Sequence, residues 1–537
     1  MDPFPLIAAL LLASAGDAPP ASDTLALELL EEDAPLWVRA GLSPRYTWQA
    51  GIPSTLVLFD GAAQAFATDR YLTPGPAQGY ASGILLASAG WEATGWLGFR
   101  LDLDSGLVRS QSFPSTAVVC PSLTSPSGLA IASGGSCVGQ VRYSLATTAA
   151  GPREITSNGQ SFSSEASQTA FIRQLYADVS AGRAGAFHAR LGRQRLRIAD
   201  GFVYDDWGLG LDLDLDVGAF GPPLTFSASV FYPSRAWPTG SAWKYPVVAA
   251  TAEWTPSLGE WVGLWGAWSS DSTGDAAAIL RQGLVENAVL ELLQTTPGSA
   301  AYKAASRRMA NLLTDPARGS SSLGWIGASG RLELNAWSEV RFTAGIAFGT
   351  LGALASTTLA TTPIEVPTLG WLLSARLVAQ PGSGFTISPF FIWLTGDSPP
   401  STQQILSGSG SWGGFLAISP YITALNLFFQ GGISESYADR RASASGVNAR
   451  GVVAPGLEVR WSKGDFDATV KAAWLWSDEP SALGGVSYGP EVDLNLSWSP
   501  WRWLALLAEA DVLALGNFFP GQGVARKFIL GVNLSTP

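Results

Sequence analysis

Apolar and polar residues alternate along most of the chain, in segments of about ten residues that begin near residue 36. In 211–217, three Leu and one Val alternate with three Asp, and 492–498 repeats this pattern. A period of two places apolar side chains on one face of a β-strand and polar side chains on the other. The pattern therefore predicts an all-β protein whose strands separate an apolar from a polar environment.

Connection lengths decide between a soluble sheet and a membrane barrel. The predicted strands are 36–49, 78–90, 95–109, 170–179, 186–198, 208–217, 224–232, 246–255, 261–269, 323–334, 339–349, 369–380, 385–395, 451–462, 466–476, 489–499, 502–513 and 526–536. Every second connection is short, and the others are longer and more variable. This asymmetry is typical of bacterial outer-membrane barrels. We predict a transmembrane antiparallel β-barrel of about 18 strands over 36–537, with long extracellular loops and both termini at the periplasmic side.

Tryptophan residues gather at the short connections. Trp91 and Trp96 flank one short turn, Trp254 and Trp261 flank another, and Trp337 lies in a third. Amphipathic rings favour the level of the lipid headgroups. These residues therefore predict an aromatic girdle at the periplasmic rim.

Composition excludes several other classes of protein. Charged residues make up only 14% of the chain and the mean hydropathy is +0.19, yet no segment has the roughly 18 uninterrupted apolar residues of a transmembrane helix. The net charge of −11 is spread without a basic block. Nucleic-acid binding needs clustered cations and is not expected.

The N-terminus resembles an export signal. Residues 6–13 form a short apolar core before small residues, which predicts a signal peptide over 1–15 and a periplasmic segment over 16–35. Asp2 stands where a cation is usual, so the signal is weak or the true start lies upstream; a buried N-terminal segment is the alternative. In an exported protein, Cys120 and Cys137 are expected to form a disulfide within a surface loop.

Two long connections have unusual composition. The loop 270–322 includes helix-forming runs between 275 and 314, interpreted either as a lid or as a surface-exposed helical hairpin. The loop 396–450 is too apolar for a free loop and is expected to pack into or over the barrel mouth. A strand pair within 396–450 is a further alternative.

The polar faces of the strands predict the lining of the lumen. Arg193, Arg195 and Arg197 share one face of their strand, with a β-bulge expected near Gly192. A hairpin centred near 204–205 places these arginines opposite the next strand. The predicted ion-pair ladder is Arg193–Asp216, Arg195–Asp214 and Arg197–Asp212. Such a ladder either neutralises the lumenal charges or creates a transverse field that orients a polar solute.

Other predicted pore-lining charges have both signs. We predict that Arg100, Asp102, Arg460, Glu491 and Asp493 also line the pore. A purely basic pore would predict strong anion selectivity. The mixture does not predict it.

The sequence offers little for catalysis. Residues 485–489 match G-x-S-x-G, but they lie in a predicted loop without the strand, turn and helix that this motif requires. The single histidine, His188, is expected to be a lumenal polar residue. No metal-ligand cluster is apparent, and we expect neither an enzyme nor a cofactor.

Residues 191–196, with Asp200-Gly201-Phe202-Val203 and Asp206-Trp207, resemble the alginate-export family of outer-membrane barrels. A Gly-Arg-Gln strand, a Gly/Asp turn and an Asp-Trp pair carry the resemblance, and 394–397 is also similar. It implies 18 strands and passive export of a polysaccharide through a loop-gated pore, with Arg193 as a pore residue. The mixed charges of the lumen depart from the cation-rich pore of that family.

Three functional hypotheses follow. The first is a channel in the outer-membrane bilayer for a polysaccharide or another polar solute. The second is a general porin for small solutes. The third is a structural barrel that anchors a surface or motility complex through periplasmic or envelope proteins.

Overall fold

The structure is a computed structural model that describes residues 36–60, 65–74, 78–104, 108–111, 171–182, 186–233, 245–257, 259–272, 276, 280, 295–296, 299–304, 319–356, 361–397, 409–430, 433–434, 443–481, 484–519 and 523–536. Three predictions lie outside these residues. They are the signal peptide (1–15) with the N-terminal segment (16–35), the disulfide between Cys120 and Cys137, and most of the helical loop 270–322.

The described residues form 23 strands, numbered here in chain order. They are β1 (Leu36–Ala50), β2 (Pro53–Asp60), β3 (Ala65–Pro74), β4 (Gln78–Thr94), β5 (Leu97–Asp104), β6 (Val108–Gln111), β7 (Phe171–Ala181), β8 (Phe187–Ile198), β9 (Tyr204–Asp216), β10 (Leu224–Pro233), β11 (Val247–Ser257), β12 (Glu260–Asp271), β13 (Ser321–Asn335), β14 (Ser338–Ser356), β15 (Thr361–Gly382), β16 (Phe385–Leu394), β17 (Leu416–Ala417), β18 (Ser443–Ala444), β19 (Val452–Lys463), β20 (Phe466–Trp476), β21 (Ser487–Trp501), β22 (Leu504–Leu515) and β23 (Gly523–Ser535).

The large sheet closes on itself. Each of its strands pairs antiparallel with its neighbours in sequence, and β1 closes the ring by pairing with both β4 and β23. Both β5 and β6 pair with β4, so together they occupy one strand position. The described residues thus form a closed barrel of 18 strands, which confirms the predicted fold class.

One rim of the barrel has only short connections in the described chain. They are 95–96, 182–186, 217–223, 258–259, 336–337, 383–384, 464–465 and 502–503. Each predicted short turn is therefore confirmed, with bounds shifted by a few residues. On the other rim, the expectation of long loops is wrong at 199–203 and 357–360, because β9, β14 and β15 extend further than the alternation indicates.

The outer surface of the barrel is apolar. Large apolar side chains are exposed on alternate positions, for example Leu211 and Leu215 of β9. At the short turns Trp91, Trp254 and Trp337 are each at least 50% exposed, as the predicted girdle requires. An apolar band bounded by aromatic rings is the lipid-facing surface of an outer-membrane barrel. The fold therefore places this protein in the bacterial outer membrane.

Smaller elements lie in the connections at the opposite rim. Strands β2 and β3 pair between β1 and β4, a hairpin that the sequence analysis missed. Strands β17 and β18 are a two-residue pair within the loop 396–450. Residues 300–304 are helical. Among the described residues, no helix is both long and apolar enough to span a membrane.

Candidate functional site

The inner face of the barrel is identified by alternation. On β8, His188 and Arg190 alternate with Phe187 and Leu191, which are exposed on the lipid face. The acidic residues of β9 alternate in the same way with its leucines. Charged side chains on these strands therefore point into the barrel, as the period-two pattern predicts.

A charged network covers the inner wall of β7, β8 and β9. The His188 Nε2 lies 2.5 Å from the Asp178 Oδ1, and its Nδ1 lies 3.8 Å from the Asp214 Oδ2. The Arg190 Nη2 lies 2.5 Å from the Asp212 Oδ2 and 3.7 Å from the Asp214 Oδ2. The His188, Arg190 and Asp214 side chains are 31–33% exposed. We call these five residues the open-wall network.

The network continues towards β5. The Arg100 Nε lies 3.0 Å from the Asp102 Oδ2, and the Arg100 side chain is 24% exposed. Arg100 is paired across the sheet with Tyr176 of β7. Charges of both signs thus span four neighbouring strands of the inner wall, where Asp102 and Asp212 are buried and their arginine partners stay partly exposed.

The predicted ion-pair ladder has the wrong register. Strand β8 pairs with β9 so that Arg197 faces Asp205, Arg195 faces Trp207 and Arg193 faces Leu209. The reason is the turn, which is centred at Gly201 and not at 204–205. The observed partners are His188 and Arg190 for Asp214, Arg190 for Asp212, and Asp205 for Arg195 and Arg197, while Asp216 accepts a hydrogen bond from the Gly218 N–H.

The expected β-bulge near Gly192 is also wrong. The pairing of β8 with β9 runs through Gly192 without a shift in register. The polar and apolar positions of β8 exchange faces after Gly192 for another reason. Strand β7 pairs with β8 only as far as Arg193, so the rest of β8 is no longer part of the wall on that side. Beyond this point Leu196 and Ile198 are buried in the core of the inward-folded segments.

Paired glycines lie where the β8–β9 hairpin leaves the wall. Gly192 pairs with Gly210. A Cβ on Gly192, whose φ is +139°, would lie 2.2 Å from the Leu175 backbone O, and one on Gly210 would lie 2.1 Å from the Val230 O. Only glycine permits this close approach of four neighbouring strands.

The tip of this hairpin folds into the lumen. The Thr343 hydroxyl, buried on the inner face of β14, donates a hydrogen bond to the Asp200 carboxylate. Ala199 and Asp200 both have positive φ, of 54° and 51°, so the turn is tight although neither residue is glycine. Residues 194–207, which we call the inward hairpin, therefore reach β14 across the barrel interior.

A second segment crosses the lumen. We call residues 409–430 the lumenal strap. Its first part is bonded to β15 and β13, where the Trp412 N–H donates to the Pro367 O (2.8 Å) and the Trp325 Nε1 donates to the Leu416 O (2.7 Å). Its middle part joins the inward hairpin, because the Ile418 and Ser419 N–H groups both donate to the Val203 O.

The last part of the strap lies on β20–β23, with Asn426 at its centre. The Asn426 N–H donates to the Asp493 Oδ2 (2.8 Å), and its Nδ2 donates to the Asp511 Oδ1 (3.1 Å). Its carbonyl accepts from the Lys527 Nζ (3.0 Å) and its Oδ1 from the Lys471 Nζ (3.5 Å). One fully buried asparagine is thus bonded to four strands of the wall.

The charges beneath the strap form a row across the sheet. In register, Lys471 faces Asp493, Asp493 faces Asp511, and Asp511 faces Lys527. Glu491 accepts from the Leu427 N–H (2.7 Å) and from the Phe428 N–H (3.0 Å). With Glu509, we call these six charged residues the covered row.

The predicted pore-lining residues therefore divide into groups. Arg100, Asp102, Asp212 and Asp214 lie on the wall of β5–β9, and Arg460 pairs with Asp467 (3.1 Å), both partly exposed. Glu491 and Asp493 face inwards but are fully buried, and so is Arg193, whose Nε donates to the Ile172 O (2.8 Å). Glu491, Asp493 and Arg193 were predicted to line an open path. This prediction is corrected, because the strap and the hairpin bend cover these three residues.

Sequence reasoning missed Asn426, Asp178 and Arg190. Asn426 is the single polar residue in the run 424–429, which is a weak signal for a buried hydrogen-bonding role. The inward positions of Asp178 and Arg190 follow from the alternation once the register is known.

The G-x-S-x-G match leads into β21, where the Ser487 N–H donates to the Asn517 Oδ1. No group of three or more potential metal ligands of suitable geometry occurs among the described residues.

Comparisons with known proteins found similarity only at the level of structure. No family model matches the chain, and no curated protein matches its sequence. The solved structures that resemble this chain include OccK9 (OpdG) of Pseudomonas aeruginosa. It has 12% identity and a TM-score of 0.44, and the alignment covers 93% of this chain and 98% of that chain. The outer membrane protein OpdK of Pseudomonas aeruginosa has 10% identity, a TM-score of 0.45 and coverage of 93% and 99%. OccAB4 of Acinetobacter baumannii has 9% identity, a TM-score of 0.43 and coverage of 93% and 98%.

Proposed function

We propose that this barrel is a passive channel for small polar solutes, and that solutes move along the wall of β5–β9. The open-wall network supports this proposal. Its histidine, arginine and carboxylates face inwards, and most keep between a quarter and a third of their side-chain surface exposed. Charged groups that stay hydrated on an inner wall are the expected lining of an aqueous path.

Small solutes fit this path better than a polymer chain. The lumenal strap and the inward hairpin are joined by backbone hydrogen bonds and occupy part of the interior. A polysaccharide, which the resemblance to alginate exporters implies, would need both segments to move aside together. The mixed signs of the network favour polar solutes in general over anions alone.

A liposome-swelling assay tests the proposal. We expect vesicles that contain the purified protein to swell in isotonic solutions of small sugars and amino acids, and not in a solution of a large glucan. Swelling in the glucan solution would contradict the size limit and favour polysaccharide export. If no solute causes swelling, the channel proposal is wrong and the anchoring hypothesis is favoured.

A matched variant controls for leakage around the protein. Asp214→Trp places a bulky side chain on the open wall, whereas Phe226→Trp places the same side chain on the lipid face of β10, where Phe226 is exposed. We expect swelling to slow several-fold in the first variant only. Equal rates would show that the solutes do not pass along this wall.

A further inference from the structure

The strap is held in two different ways along its length. Its first and middle parts are fixed by main-chain bonds, including the Ser419–Tyr204 bridge to the inward hairpin. At 423–427, by contrast, the hydrogen bonds of the strap are to side chains of the wall, namely those of the covered row and Asn495. Side-chain bonds to charged groups can be replaced by water, because carboxylates and ammonium groups are strongly hydrated.

The covered row has an excess of negative charge. Four carboxylates (Glu491, Asp493, Glu509 and Asp511) share the site with only two lysines, Lys471 and Lys527. All six are at most 8% exposed. Burying charges without full compensation is unfavourable, and neutral N–H donors of the strap supply the rest of the stabilisation. Hydration of the row therefore opposes the docking of the strap.

An aromatic cluster follows residues 423–427, whose own apolar side chains Leu425 and Leu427 are fully buried. The Phe428 ring lies 4.9 Å from the Tyr488 ring, which in turn lies 4.4 Å from the Phe518 ring. Phe429 packs edge-on against Phe428 at 5.1 Å. Such apolar contacts persist in water. The cluster therefore holds the C-terminal end of residues 423–427 in place when their polar contacts are exchanged for water.

We propose that residues 423–427 are a removable seal, which hinges between the 416–421 attachment and the Phe428 cluster and uncovers the covered row when it lifts. In the sealed state, Asn426 closes the wall of β20–β23. In the lifted state, four carboxylates and two lysines face the lumen and widen the aqueous path. The inference deepens the proposed function, since it regulates the same lumen.

Two alanines of the strap make a matched test. Ala424 lies in the seal and Ala417 in the fixed part, with exposures of 4% and 2%. In a background with Cys120→Ser and Cys137→Ser, Ala424→Cys and Ala417→Cys are treated in vesicles with a small charged methanethiosulfonate, and labelling is followed by mass spectrometry. We expect position 424 to react at least about tenfold faster, and Asn426→Ala to accelerate it roughly tenfold further, as the loss of one or two hydrogen bonds implies.

Four outcomes overturn the proposal. They are no reaction at either position, equal reaction at both, faster reaction at 417, and a rate at 424 that Asn426→Ala leaves unchanged. If a variant fails to fold, hydrogen–deuterium exchange of the unmodified protein replaces the labelling test. We then expect faster exchange at 423–427 than at 416–421. Neither readout needs solute flux, so a failure of the seal is distinguished from a failure of the channel proposal.

Discussion

Two walls of the same barrel carry similar charges in different surroundings. The wall of β7–β9 holds His188 and Arg190 about one third exposed, whereas the wall of β20–β23 holds Lys527 at 8% beneath the strap. Both follow from the same alternation of apolar and polar residues. Inward-facing charged side chains therefore do not define a pore by themselves, because a loop distant in sequence decides whether they are exposed to water.

The surroundings also set the energetic role of each charge. An ion pair in contact with water contributes about 0–1 kcal/mol, since solvent screens it and competes for its hydrogen bonds. Breaking a buried pair costs about 3–5 kcal/mol, because the remaining partner is left buried and uncompensated. The two walls should therefore respond very differently to the same type of substitution.

The largest difference is expected on removing one cation from each wall. Lys527→Met leaves Glu509 and Asp511, now 2.7 Å and 3.0 Å from its Nζ, without their ammonium partner, and should lower the free energy of unfolding by about 3–5 kcal/mol. Arg190→Met on the open wall should lower it by only about 1 kcal/mol, because water reaches Arg190 and Asp214 and only Asp212 loses a buried contact. Urea unfolding of the two variants in lipid vesicles measures both. Equal losses of unfolding free energy in the two variants would mean that the two walls are equally hydrated.

An intermediate effect is expected at the bend of the inward hairpin. Gly192→Ala combines an unfavourable φ with a clash against the Leu175 backbone and should cost about 3 kcal/mol. Gly221→Ala is the matched control, because its φ is +131° but no atom lies within 4 Å of the new Cβ; it should cost about 1 kcal/mol. The same unfolding assay applies. If the two costs agree, close packing at the bend is not what requires glycine.

The smallest effect is expected at the hairpin tip. Arg197 is 53% exposed and its Nε lies 3.8 Å from the Asp205 Oδ2, so Arg197→Ala should change the unfolding free energy by less than about 0.5 kcal/mol. Arg195→Ala removes a 2.7 Å contact with the same carboxylate and should cost about 1 kcal/mol. A larger effect for Arg197 would contradict the observed contacts of Asp205.

The barrel itself could be predicted from sequence, because period-two alternation and tryptophans at short turns are local signals. The register of β8 with β9 could not, because it depends on a turn in which Ala199 and Asp200 adopt positive φ, and neither residue type indicates this. The apolar run around 424–429 indicated a packed loop. Which wall that loop covers depends on contacts between residues far apart in sequence, and only the fold reveals them.

The reversal potential in a salt gradient across a planar bilayer tests the contrast between the walls most directly. Asp214→Arg should shift it towards anion selectivity, because this carboxylate lies on the hydrated wall. Asp493→Asn should shift it much less, because Asp493 is fully buried beneath the strap in the sealed state. An unchanged potential in the first variant, or an equal shift in both, would contradict a solute path along β5–β9.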